Sequence, residues 1–250
     1  MDEERFAAAL QAAQYDMGCR GIGTMKEKSL HIALKHYFAP DPDTHERSVG
    51  GFIADAVTED GVVEIQTRSL SRLKEKLTAF LEACPVTVVH PVANPKWLAT
   101  VDENGVLQGR RKSPKHESMF TAMREIYTLR DFLTNPRFQL CIASVELTEY
   151  RVAHKKGRRV QYEKLDRVPN ALNELRFFAS PHDYLTLLPE HLPREFSAKQ
   201  AAEAAASSVN DMRMLLTLLV RMNALEICGK QGNARIYRIT DAFVSDDIRG

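Results

Sequence analysis

The stretch Ile53-Ala54-Asp55-Ala56-Val57-Thr58-Glu59-Asp60-Gly61-Val62-Val63-Glu64-Ile65-Gln66-Thr67 is the most informative in the chain. Two apolar, β-branched runs flank an Asp-Gly pair, which supplies the positive φ that a tight turn demands, so residues 46–57 and 61–68 are expected to form a β-hairpin. Side chains alternate across a strand, which puts Glu64 and Gln66 on one face and Val63, Ile65 and Thr67 on the other. On the preceding strand Ile53, Asp55 and Val57 share a face, and the turn is short enough to bring Asp55 beside Glu64. Two facing carboxylates repel unless a cation sits between them, and a hard divalent ion favours carboxylate oxygens plus water. Any one of these acids alone is best read as an ordinary surface carboxylate; it is the combination that points to a site.

Upstream, residues 4–16 have a helical pattern, Gly21 and Gly23 interrupt it, and Met25 to Phe38 carries Leu30, Ala33, Leu34 and Tyr37 at helical spacing up to Pro40 and Pro42. Downstream, Ser69 is placed to cap a helix to about Ala83 with Leu70, Leu73, Leu77, Phe80 and Leu81 as its apolar stripe. Val86 to Val89 is a short apolar run suited to a strand buried on both faces. A hairpin around Glu103-Asn104-Gly105, a helix over 117–133 and a strand over 138–152 complete a domain at 1–152. Residues 153–190 read as a basic hairpin and connector, and residues 191–250 as a second domain.

Composition is that of a soluble globular protein: 44% hydrophobic, 27% charged, with a formal net charge of +1. Such a balance excludes a binder coated in positive charge and confines any nucleic-acid footprint to local patches. Cys19, Cys84, Cys141 and Cys228 stand apart with no metal-binding spacing and are expected to be reduced and mostly buried. The acidic start and the lack of a long apolar run lead to the expectation of a cytoplasmic protein without membrane partners.

Asp55, Glu64-Ile65-Gln66 at the end of a hairpin, and Glu27 in the preceding helix resemble the PD-(D/E)XK nuclease superfamily over roughly residues 22–92. The order helix with Glu, strand, strand with Asp, strand with Glu, then helix is similar to its Holliday-junction-resolvase-like and RecB-like members. The resemblance implies a restriction-endonuclease-like mixed sheet flanked by helices. It also implies Mg²⁺ or Mn²⁺ held by Asp55, Glu64 and the Ile65 carbonyl, with Glu27 serving a second ion or its water. One departure stands out: the lysine usual two residues after the glutamate is Gln66 here, which positions water but carries no charge. Arg68, Arg72, Lys74 and Lys76 in the next helix offer a replacement cation. His31, one turn after Glu27, is placed either to touch the site or simply to pack.

Arg110, Arg111, Lys112 and Lys115, and later Lys155, Lys156, Arg158 and Arg159, form basic runs suited to phosphate contact, although such runs are usually solvated loops. Trp97, the single tryptophan, is read as a core residue.

In the last sixty residues Ser197 to Gln200 make a capping box, Ser207-Ser208 a turn, and Val209 to Met222 a helix that buries Met212, Leu215, Leu216, Leu219 and Val220. Two short strands follow around Gly229 to Asn233. The order resembles a winged helix, which implies Asn210 and Arg213 near the major groove and Lys230 and Arg235 on phosphates or in the minor groove. Asp211, near the start of that helix, weighs against DNA contact.

The sequence therefore leads to a metal-dependent DNA endonuclease of α/β fold positioned by a winged helix, a homodimer if it cuts both strands. The rivals are a nuclease-fold DNA-binding or regulatory protein without catalysis, and a protein-interaction adaptor.

Overall fold

A computed structural model of the chain describes residues 2–19, 29–102, 104–115, 117–156 and 159–243. Glu27 lies outside them, as do the side chains of Lys155, Lys156, Arg158 and Arg159. The architecture is mixed α/β, a mixed sheet with flanking helices. Two units are distinguished. The first comprises Met1–Arg68, Lys76–Ser118 and Cys141–Arg176; the second comprises Ser69–Glu75, Met119–Leu140 and Phe177–Gly250.

In the first unit α1 (Glu3–Cys19) packs on α2 (Ser29–Phe38). Strands β1 (His45–Val49), β2 (Phe52–Thr58), β3 (Gly61–Ile65) and β4 (Val86–Val101) lie side by side, followed by β6 (Phe138–Lys156) and β7 (Arg159–Phe178), with β5 (Leu107–Lys112) also paired to β4. Strands β1, β2 and β3 are antiparallel, while β3 and β4 are parallel with Glu64 opposite Val88. A parallel pair needs a crossover, and the connection contains a 3₁₀ turn over Leu70–Leu73 and α3 (Lys74–Ala83). β3 is buried along its whole length, which is why it reads as an apolar run broken only by Glu64. Val63 and Ile65 join a core with Leu30, Leu34, Tyr37, Val89, Cys141 and Leu147.

Several expectations are corrected. Residues 46–57 are two strands, because Gly50 and Gly51, with φ of 54° and 84°, turn the chain back between them. At the next turn only Gly61 has positive φ, 119°, and a Cβ there would meet the Pro85 carbonyl oxygen at 2.2 Å, so the residue is glycine for space as well as conformation. Ser69 precedes the 3₁₀ turn without capping it. Its hydroxyl pairs with Ser71, and the Leu70 amide donates instead to Glu125. The helix foreseen over 117–133 is α4 (Met119–Ile126) and a 3₁₀ turn over Tyr127–Leu129. The connector foreseen over 153–190 contains the 20-residue strand β7, whose solvated, alternating side chains lacked the apolar signature by which inner strands are recognised.

The second unit packs α4 against α7 (Val209–Arg221), with α5 (Pro181–Leu185) and α6 (Ala198–Ala204) also on α7. Ser197 and Gln200 form the foreseen capping box. A three-stranded sheet takes the order β8 (Phe196–Ser197), β10 (Ala234–Ile239), β9 (Leu225–Gln231). Of the thiols described, Cys141 is buried and pushed up to about 12 by that burial, Cys84 is half-buried, and Cys228 is exposed on β9, where burial had been expected. Among the described residues no helix is long and apolar enough to cross a membrane.

Candidate functional site

The register Ala56 opposite Val63 sets Asp55 and Glu64 side by side on the hairpin. The Asp55 amide donates to Glu64 Oε2 at 3.4 Å, and Asp55 Oδ2 accepts from the Ile65 amide at 2.7 Å. Glu64 is 4% exposed, an acid in the middle of a buried strand, and therefore requires compensation. Lys76, at the start of α3, supplies it: Nζ lies 2.6 Å from Glu64 Oε1. The same ammonium stands 5.6 Å from the Phe80 ring centre one turn later, which helps fix its direction. On the other side, His31 Nε2 of α2 lies 3.1 Å from Asp55 Oδ2.

The two carboxyls titrate apart. Burial, and then the charge of Asp55, push Glu64 up to about 7 against the pull of Lys76. Burial acts upward on Asp55 too, but the hydrogen bond and charge of His31, the Ile65 amide and Lys76 outweigh it and hold this acid below the usual carboxylate range. Near neutral pH Asp55 is thus ionised while Glu64 still holds part of its proton, which a positive ion would readily displace. The oxygens are hard donors suited to Mg²⁺ or Mn²⁺. Among the described residues no group of three or more His, Cys, Asp or Glu side chains is arranged to hold a metal, so protein donors from the described chain would number two carboxylates plus main-chain oxygen.

Gln66 is joined to the site through its backbone. Its amide donates to the Val89 carbonyl at 2.9 Å, and His90 Nδ1 donates to its carbonyl at 2.8 Å. His90, buried within β4 just beyond the Val86–Val89 run, was missed because a lone histidine in a strand carries no motif. Of the four cations considered as replacements for lysine at 66, Lys76 reaches the pair. Arg68 is exposed and lines a separate cleft of the same unit, while Arg72 and Lys74 belong to the segment of the other unit.

Arg110, Arg111 and Lys112 lie exposed on β5, with Lys115 beyond it. Trp97 is half-buried rather than in the core. Its indole N–H donates to Glu146 at 2.9 Å, and Arg110 lies 4.4 Å over its ring.

In the second unit Asn210, Arg213, Lys230 and Arg235 are all exposed. Arg213 and Arg235 share a cleft of about 280 Å³ with Lys199, Thr217 and Asn233. Lys199 had gone unnoticed, since helix–hairpin proximity is not visible in sequence. Asp211 turns away: it is buried, accepts from Arg124 at 3.0 Å and from the Ser208 hydroxyl at 2.7 Å, and so serves the start of α7.

The fold and site define a mixed α/β protein with an acid pair on a hairpin, Glu64 buried and Asp55 half-buried, flanked by a lysine and a histidine. The family described as "Domain of unknown function (DUF8091)" matches residues 28–179, a span that includes His31, Asp55, Glu64 and Lys76. The chain is also 33% identical over 221 residues to an uncharacterized protein of Treponema pallidum (strain Nichols), covering 87% of each. No solved structure matches. The chain belongs to the DUF8091 family.

Proposed function

We propose that this chain is a metal-dependent nuclease of PD-(D/E)XK type acting on DNA, with its C-terminal unit a winged helix that holds the substrate. The observation that carries the reading is the triple contact of Asp55, Glu64 and Lys76: two acids and a cation, with the lysine delivered from α3 instead of position 66. Asp55, Glu64 and the Ile65 carbonyl would hold Mg²⁺ or Mn²⁺. When bound, such an ion supplies an activated water and stabilises charge on the phosphate being cut. Lys76 keeps positive charge beside Glu64, where negative charge gathers on the substrate. His31 orients Asp55 and keeps it ionised, and burial of Glu64 limits competing water at that acid. In the second unit, Lys199, Arg213 and Arg235 form the basic rim of one cleft, which supports phosphate contact there.

A second reading also has an observation behind it. Lys76 and His31 already engage both acids, as they would in a non-catalytic DNA-binding scaffold whose ion pairs merely hold the hairpin. Incubating linear, branched and single-stranded DNA with Mg²⁺, Mn²⁺ or EDTA separates the two. Cutting that needs metal and disappears in Asp55→Ala and Glu64→Ala supports the nuclease. Binding through the C-terminal unit with no cutting supports the scaffold.

A further inference from the structure

A second cleft of the first unit, about 270 Å³, opens where the chain leaves β3, lined by Thr67 and Arg68 on one side and by Lys164 to Arg167 of β7 on another. Its charges do not all cancel within the fold. Lys96 donates to Glu117 at 2.8 Å, and Lys164 lies 3.3 Å from Glu149, so these four neutralise one another. Asp166 accepts from the Ser29 hydroxyl and amide. Those donors are neutral, so two guanidiniums and the Asp166 carboxylate remain, and the cleft keeps an excess of positive charge. Arg167 donates to the Thr67 carbonyl at 2.8 Å and makes no ion pair among the described residues; Arg68 makes neither an ion pair nor a hydrogen bond among them. Two like charges facing one polar cleft repel, and burial with Arg68 nearby pulls Arg167 down from its usual range while Glu117, Glu149 and Asp166 draw it back.

A pair of guanidiniums presents planar donor forks that match phosphate oxygens, and a phosphate relieves their repulsion. The location fits a substrate that runs along the protein. Arg68 follows Glu64 by four residues, which can span at most about 14 Å.

We propose that this cleft is a phosphate subsite in which Arg68 and Arg167 grip a phosphate of the same nucleic-acid strand that reaches Asp55 and Glu64. The assignment takes its ligand from the nuclease reading but does not depend on cleavage. Lys96, Lys164 and their acids form the wall of the subsite and hold its shape.

The test is binding of fluorescein-labelled single-stranded oligonucleotide, with a 5′-phosphate or a 5′-hydroxyl, to the full-length protein in EDTA. Arg68→Gln removes an exposed side chain on which nothing described in the fold depends. It is expected to weaken binding roughly tenfold and to flatten the salt dependence by about one phosphate contact. Arg47→Gln, an exposed charge on β1, serves as the control and is expected to bind like wild type. A loss confined to the 5′-phosphorylated strand assigns the site to a terminal phosphate, and an equal loss on both assigns it to an internal one. Equal affinities for the Arg68 and Arg47 variants overturn the subsite and leave the nuclease reading standing. If wild type binds no oligonucleotide, the nucleic-acid reading falls, and titration with inorganic pyrophosphate decides the cleft: saturable binding lost in Arg68→Gln keeps it, and no such binding overturns it.

Discussion

Lys76 Nζ stands 2.6 Å from Glu64 Oε1, across the junction between the buried strand β3 and the helix that follows it. On the proposed nuclease reading, Lys76 supplies in space the cation that position 66 does not carry. Lys76→Ala is expected to lower metal-dependent DNA cleavage about a hundredfold, the range for loss of a charged group aimed at a transition state. Adding Gln66→Lys to that variant is expected to restore part of the rate. A rate unchanged in Lys76→Ala would show that the lysine serves only the fold.

Glu64 titrates near 7, above its ordinary carboxyl value, and the sign of its effect on stability follows. Between about pH 4.5 and 7 the unfolded chain has released this proton and the folded chain retains it, so stability falls as pH rises through that window and levels off above it. The shift corresponds to a loss on the order of 3 kcal/mol. Glu64→Gln is expected to remove most of that slope in thermal melts. Asp55, held low, acts only below its ordinary carboxyl range, where stability is lost as pH falls, so the two windows separate.

Gly61→Ala forces a methyl group against the Pro85 carbonyl at a φ of 119°. Destabilisation on the order of 3 kcal/mol is expected, lowering Tm by roughly 6–12 °C. Gly51→Ala, with positive φ but open space around it, is expected to cost about 1 kcal/mol. Similar Tm values for the two variants would mean that the β3–β4 connection yields to the methyl group.

Arg213→Ala and Arg235→Ala, on α7 and β10 but in one cleft, are each expected to weaken DNA binding about three- to tenfold and to make it less salt-dependent. Asn210, exposed on α7 outside the residues that line that cleft, is expected to have a smaller effect. Filter binding at several salt concentrations distinguishes these results from a uniform loss caused by unfolding.

The pairing of Asp55 with Glu64 was legible because period-two alternation and an Asp-Gly turn fix a local register. The helix, turn, helix and hairpin order at the C-terminus was legible for the same reason, each element carrying its own cap or turn. The choice of Lys76 among four cations was not, since it depends on the direction in which α3 leaves the sheet. Strand β7 was missed because its exposed side chains resemble those of a loop, and with it the cleft residues Asp166 and Arg167. Trp97 was assigned to the core on size alone, whereas Glu146 and Arg110 give it polar company near the surface.

Glu64 lies nine positions after Asp55, and Lys76 twelve positions after Glu64. The charged centre is thus written into one short, uninterrupted run of chain, and assembling it costs little more loop-closure entropy than a hairpin and a single crossover. The longer-range strands add rigidity around a centre whose parts are already tethered. Insertions within residues 59–60 or 66–75 would separate acid from acid or acid from cation, whereas insertions at the β4–β5 loop would leave the centre's own connectivity untouched.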